Sequence, residues 1–250
     1  MITHILLTGV DLHYSAVAFQ ERSLKALLGS LLKIKRGKPQ IADIHALKNI
    51  NLEIHAGERV GLLGHNGAGK STLLKLVAGL YPISNGQRLV QGSVQSLFDL
   101  SLGFEPDATG RENILYRGLL LGRSPRRMRQ LEDEIIAFAD LGKFIDYPMR
   151  AYSAGMQVRL AFAISTAVGG DVLLLDEVIG AGDANFMAKA KKRIQHLADS
   201  SEILILASHD FAALKSLCHR GVVLHHGEIK FDGAIVDAIA VYQKINGIEP

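Results

Sequence analysis

Apolar positions along the chain follow two rhythms. Val60-Gly61-Leu62-Leu63, Val172-Leu173-Leu174-Leu175 and Ile203-Leu204-Ile205-Leu206-Ala207 are short runs with almost no polar interruption. Such runs predict strands buried inside a sheet. Between them the spacing turns helical. Leu73 to Leu80 predicts a helix ending near Gly79, and Met128, Leu131, Ile135 and Phe138 give one face of another. Further helices are expected over about 184–199, 211–218 and 233–247. Two helix starts are explicit. Thr109 and Glu112 have capping-box spacing, and Ser124 precedes Pro125 at a first helical position. A third is expected after Tyr152-Ser153-Ala154-Gly155, running through Ala163. Residues 4–13 predict a strand and 42–55 a strand pair. Tyr81 to Gly86 predicts a turn, with short strands up to about Phe98. A hairpin over 221–232 turns at His225-His226-Gly227, whose histidines read as turn residues ahead of metal ligands.

One stretch gives this pattern a chemistry. Gly64-His65-Asn66-Gly67-Ala68-Gly69-Lys70-Ser71-Thr72 has the form G-x-x-x-x-G-K-[ST] between a predicted strand and a predicted helix. Glycines let the backbone curl so that several N–H groups face one anion. The helix adds roughly half a positive charge at its start. Lys70 supplies a full charge for the β- and γ-phosphates, and Ser71 offers a hydroxyl to Mg²⁺. A nucleoside triphosphate with Mg²⁺ is the expected ligand. The fold expected around it is α/β. It comprises a P-loop NTPase (RecA-like) core with a parallel sheet, an N-terminal antiparallel β subdomain and an inserted α-helical subdomain. Core residues are expected over about 1–95 and 169–232, and the helical insert over about 96–168.

Other strand ends fall on the same rim, where ligands of open α/β sheets bind. Asp176-Glu177 closes an apolar strand. Asp176 suits the Mg²⁺ shell, and Glu177 can orient or deprotonate the attacking water. His209 follows the next strand as a candidate γ-phosphate sensor. Composition narrows the rest. Lys and Arg exceed Asp and Glu by 28 − 25 = +3, too even to imply nucleic acid. A lone cysteine, Cys218, excludes internal disulfides and reads as a small buried apolar residue. No apolar run approaches the ~18 residues of a membrane span, and no signal peptide is apparent, so the expectation is a cytosolic or peripheral chain. Leucines 24, 27, 28, 31 and 32 mark one face of a helix over 23–36, with Lys25, Lys33 and Arg36 opposite. That amphipathic 15–40 segment suits packing on the domain or contact with a membrane or partner.

In order, Lys70, Tyr152-Ser153-Ala154-Gly155-Met156, Asp176-Glu177, Asp183 and Ser208-His209-Asp210 resemble the motifs of an ABC-transporter nucleotide-binding domain over essentially the whole chain. The family signature reads Leu-Ser-Gly-Gly-Gln; Ser153 and Gly155 match it, while Tyr152, Ala154 and Met156 depart. Arg159 falls where the family has an arginine, and Asp183 at its D-loop aspartate. The departures, with Gly103-Phe104-Glu105-Pro106 and Thr109-Gly110-Arg111-Glu112-Asn113, look like the ATPases of polysaccharide exporters of the O-antigen and teichoic-acid type. The family's Q-loop glutamine position falls near Leu100, and the nearest glutamine, Gln95, sits in a predicted strand.

The resemblance implies a homodimer that sandwiches two ATP molecules, each held by the loop of one chain and by Ser153, Ala154, Gly155 and Met156 of the other. It implies a peripheral position on the cytoplasmic side of the inner membrane. The partner there would be an integral-membrane permease, two copies expected, and the cargo a polyprenyl-pyrophosphate-linked glycan. Tyr14 resembles the aromatic that stacks on adenine, with a core aromatic as the alternative. The chain ends about 18 residues after its last hairpin, over a 233–250 helix, so no carbohydrate-binding domain is expected. A teichoic-acid or capsule exporter, or a non-transport ABC ATPase, are the alternatives.

Overall fold

The computed structural model describes residues 2–17, 41–98, 103–176 and 184–247. The helix expected over 23–36, Leu100, Glu177 and Asp183 lie outside them. A six-stranded sheet runs in the order β5-β6-β7-β3-β8-β9. Its strands are β3 (Arg59–Leu63), β5 (Val94–Ser96), β6 (Val172–Asp176), β7 (Ile203–Ala207), β8 (Arg220–His225) and β9 (Glu228–Ala234). Pairings from β5 to β8 are parallel, and β9 joins β8 antiparallel as a hairpin edge.

The pleat explains the uninterrupted apolar runs. Val172 and Leu174, Ile203 and Ile205, and Val60 and Leu62 face one core. Leu173, Leu175, Leu204, Leu206 and Leu63 face the other. Alternate side chains of one strand therefore enter different cores, and neither face can be polar. The first core lies against helix α1 (Lys70–Val77) and a second sheet. The other is covered by α5 (Ala184–Ser200), α6 (Phe211–Leu217) and α7 (Ile235–Asn246). Cys218 is buried there, and burial pushes its thiol up to about 12, so it packs as an apolar residue.

The second sheet has the order β2-β1-β4, all antiparallel. It comprises β1 (His4–Val17), β2 (Ile41–His55) and β4 (Asn85–Gln91). Two boundaries differ from the sequence expectation. The first strand continues past Tyr14, and 42–55 is one strand instead of a pair. The Ala46–Asn49 stretch within it has an irregular register against β1. Asn49 there has a left-handed φ of 46°. Side chains replace the missing ladder bonds: Asp11 Oδ1 accepts from the Asn49 N–H at 2.9 Å, and Asn51 Oδ1 from the Gly9 N–H at 2.8 Å. The strand bends without breaking.

Helices α2 (Gly110–Leu120), α3 (Pro125–Ala139) and α4 (Ala154–Ala167) enclose a third core. The capping box forms as expected: Thr109 accepts from the Glu112 N–H, and Glu112 accepts from the Thr109 N–H at 2.8 Å. Helix α4 starts at Ala154, two residues before the sequence expectation, because Ser153 serves as its cap. Leu160, Ala163 and Ile164 of α4 face the helical core, while Phe162 enters the sheet core. One helix thus fastens the two units.

Asn113 links the Thr109–Asn113 stretch to Gly103-Phe104-Glu105-Pro106 before it. It is fully buried, its Oδ1 accepts from the Glu105 N–H at 2.7 Å, and its Nδ2 faces the carbonyls of Glu105, Ala108 and Thr109. The loop therefore takes its shape from one amide side chain. Tyr152, the signature departure, is also buried and donates to the Phe144 carbonyl at 2.6 Å. A Cβ on Gly110 would lie 2.1 Å from its hydroxyl and 3.0 Å from Ile145. Gly110→Ala should therefore lower stability by about 1–3 kcal/mol through overpacking. Urea unfolding measures this, and Tyr152→Phe in the same background should recover part of the loss.

Candidate functional site

Strand β3 delivers the loop to the carboxyl edge of the sheet, and α1 leaves from its end. Gly69 is the N-cap of α1 at φ 108°, a conformation other residues rarely adopt. No side chain caps the helix, and its first turn carries no acidic residue. The positive end of α1 is left for an external anion. Beside it opens a cleft of about 460 Å³.

Lys70 is buried on the floor of this cleft. Its ammonium donates to the Gly64 carbonyl and, at 3.2 Å, to the His65 carbonyl. It also lies 3.4 Å from His209 Nε2 at the end of β7. That nitrogen is 3.2 Å from Asn66 Oδ1. One imidazole nitrogen cannot accept from Lys70 and donate to Asn66 together, so the tautomer selects between these contacts. The turn carrying His209 is held by its neighbours. Ser208 Oγ accepts from the Asp210 N–H at 3.0 Å, and Asp210 caps α6 through the Ala212 and Ala213 N–H groups. Asp176 ends β6 against the same cleft, which Ser71 of α1 also lines. A hydroxyl and a carboxylate are the hard oxygen donors that Mg²⁺ takes, so these two residues fit that ion.

Tyr14 of β1 lines the cleft and also packs against the core. Its hydroxyl donates to Thr72 Oγ1 at 3.3 Å, its ring meets Tyr81 edge-on, and burial raises the phenol above its ordinary value. Within the loop, His65, Asn66, Gly67, Gly69, Ser71 and Thr72 line the cleft. Gly64 and Ala68 sit beneath it, Ala68 almost wholly buried.

No local pattern in the residues marks a further wall. Ile44, His45, Ala46 and Lys48 of β2, with His226 and Gly227 of the β8–β9 turn, line the cleft too. His45 is fixed by Asp11 at 2.8 Å and by stacking on His13. These walls are stitched to the loop by backbone bonds. The Gly227 N–H donates to the Ala68 carbonyl at 3.0 Å, and the Lys48 N–H to the Gly227 carbonyl at 2.8 Å.

Ser153, Ala154, Gly155 and Met156 do not reach the cleft. They form the start of α4, where Ser153 Oγ accepts from the Met156 N–H at 3.3 Å and Ser153 and Ala154 are exposed. Gln95 does not reach it either. Its amide is buried and donates to the Ser165 carbonyl at 2.6 Å, tying β5 to α4.

A family model described as ABC transporter matches residues 47–180. The O-antigen export system ATP-binding protein RfbE of Yersinia enterocolitica is 40% identical over 91% of this chain and 97% of its own length. The teichoic acids export ATP-binding protein TagH of Shouchella clausii is 35% identical over 96% of this chain, which spans 65% of that protein. Among solved structures, the ATP-binding cassette MJ0796 in a dimeric post-hydrolysis state with ADP and Pi superposes with a TM-score of 0.67. It is 22% identical over 92% of this chain and 98% of that one.

The seat of the hairpin on the loop has a measurable consequence. Gly227 has φ 81°, and a Cβ there would lie 2.6 Å from the Ala46 carbonyl oxygen. Gly227→Ala should destabilise the chain by about 1–3 kcal/mol and weaken nucleotide affinity as the loop loses its brace. Denaturant unfolding and equilibrium binding of a fluorescent ATP analogue read the two effects.

Proposed function

The chain belongs to the ABC transporter family, and we propose that it is the ATP-binding and ATP-hydrolysing subunit of an exporter that moves a lipid-linked polysaccharide of the O-antigen type across the cytoplasmic membrane. The observation that carries the catalytic half is the convergence of Lys70, Ser71, Asp176 and His209 at the uncapped start of α1. The likeness to RfbE over nearly the full length of both chains supports the cargo. A teichoic-acid cargo is the second reading, favoured by the likeness to TagH.

In this reading the loop amides and Lys70 neutralise the phosphates of ATP, and Tyr14 stacks on the adenine. Ser71 and Asp176 hold Mg²⁺, which when bound supplies charge stabilisation for phosphoryl transfer. Glu177, next after Asp176 in the sequence, accepts a proton from the attacking water, and His209 contacts the γ-phosphate. Ser153 and Ala154 are exposed at the start of α4, and none of residues 153–156 lines their own cleft, which suits contact with ATP on another copy. A two-fold pair would complete both sites at once. Among the described residues no helix is long and apolar enough to cross a membrane. The likeness to export-system ATP-binding proteins supports a permease partner as the route for cargo, which the helical unit would engage from the cytoplasmic face.

Two measurements test the proposal together. Glu177→Gln should leave ATP affinity intact while lowering hydrolysis by ~10² or more; unchanged turnover would remove Glu177 from the role. ATPase activity of the complex with its membrane subunit should rise with polyprenyl-pyrophosphate-linked glycan. Stimulation by no glycan carrier would refute the cargo.

A further inference from the structure

Three imidazoles meet beside the phosphate loop. His65 comes from the loop, and His225 and His226 come from the β8–β9 turn, about 160 residues later. Their ring centroids lie 4.2 to 5.1 Å apart, and one ring nitrogen from each falls within 4.8 Å of the others. The bonds that place them are the backbone stitches already described: Gly227 donates to Ala68, and Lys48 donates to Gly227. The cluster is therefore built into the fold on both sides.

The hydrogen bonding of His65 fixes its tautomer. Its Nδ1 lies 2.8 Å from the Asn66 carbonyl oxygen, which can only accept. Nδ1 must therefore carry the proton, and in the neutral ring Nε2 presents a lone pair. That Nε2 is buried and has no hydrogen-bond partner among the described residues. A buried acceptor without a partner is uncommon in a folded chain and needs an explanation. The hairpin offers one. His225 is partly buried, and its ring lies edge-on to both His226 and His65. His226 is exposed at φ 49°, at the tip of the turn, where its ring can adjust.

We propose that His65, His225 and His226 form a binding site for a borderline transition-metal cation, with Zn²⁺ as the reference ion. An all-imidazole set suits Zn²⁺, Ni²⁺ or Cu²⁺ and does not suit the hard Mg²⁺ of the nucleotide cleft. Three protein ligands leave a fourth position for water. The second carboxylate–histidine cluster, His4, Glu53 and His55, is a poorer candidate because Glu53 already pairs with both histidines. An ion held by the three imidazoles would clamp the turn to the loop. It would restrain the residue whose carbonyl accepts from Lys70. Metal occupancy and loop mobility are thereby linked.

The test is titration of Zn²⁺ into the metal-stripped full chain without nucleotide, so that failure of the hydrolysis reading does not affect it. Calorimetry should find about one saturable site per chain. His225→Gln/His226→Gln should lose it or weaken it by at least about tenfold, and His4→Gln/His55→Gln should retain it. Circular dichroism checks that each variant is folded. If the first double variant is not, His226→Asn replaces it, because asparagine tolerates the left-handed turn position. Absence of saturable binding in the wild type, undiminished binding after loss of the hairpin histidines, or loss only with His4 and His55 would each overturn the proposal.

Discussion

A loop that turns its backbone N–H groups toward one point gives up the bonds that would otherwise hold it. The shape of residues 64–69 must therefore be imposed from outside. Here it is imposed from two sides: β3 and α1 are continuous with the loop, and the β8–β9 turn and β2 are bonded across it. The link is a chain of two backbone hydrogen bonds, Gly227 to Ala68 and Lys48 to Gly227. Only glycine fits at 227, because any Cβ would meet the Ala46 carbonyl. The antiparallel sheet, the parallel sheet and the phosphate loop thus share one junction. The same junction gathers the three histidines beside the cleft.

The helical unit answers to a different requirement. Its signature residues start a helix, and Ser153 spends its hydroxyl as a cap while staying exposed. Behind them the packing is tight. Tyr152 fills the space that Gly110 leaves, and Asn113 binds the preceding loop. Phe162 carries this unit onto the sheet core, and Gln95 ties β5 to the same helix. In the proposed reading, movement of α4 relative to the sheet carries the consequence of hydrolysis, and these contacts transmit it.

Much of this was legible in the residues. The glycine-lysine-serine spacing, the apolar runs of β6 and β7, the capping box at Thr109 and the strand-end residues Asp176 and His209 each follow from local rules, and the cleft brings the loop together with Asp176 and His209. What escaped was non-local. Nothing near Lys48 or His45 marks them as cleft walls, since β2 reaches the loop only through its pairing. His225 and His226 are turn residues, as their position before Gly227 implies, but their approach to His65 depends on long-range bonds. The break expected within 42–55 failed because side-chain oxygens of Asp11 and Asn51 substitute for ladder bonds. The place of Tyr152 in the signature makes physical sense only beside Gly110.

The central claim is that each cleft is completed by Ser153 of another copy. ATPase measurement on a mixture of two inactive chains, Lys70→Ala and Ser153→Arg, tests it most directly. A mixed pair retains one site with an intact loop and an intact signature, so random pairing should restore about a quarter of wild-type activity. Activity no greater than the sum of the two separate chains would contradict a site shared between copies.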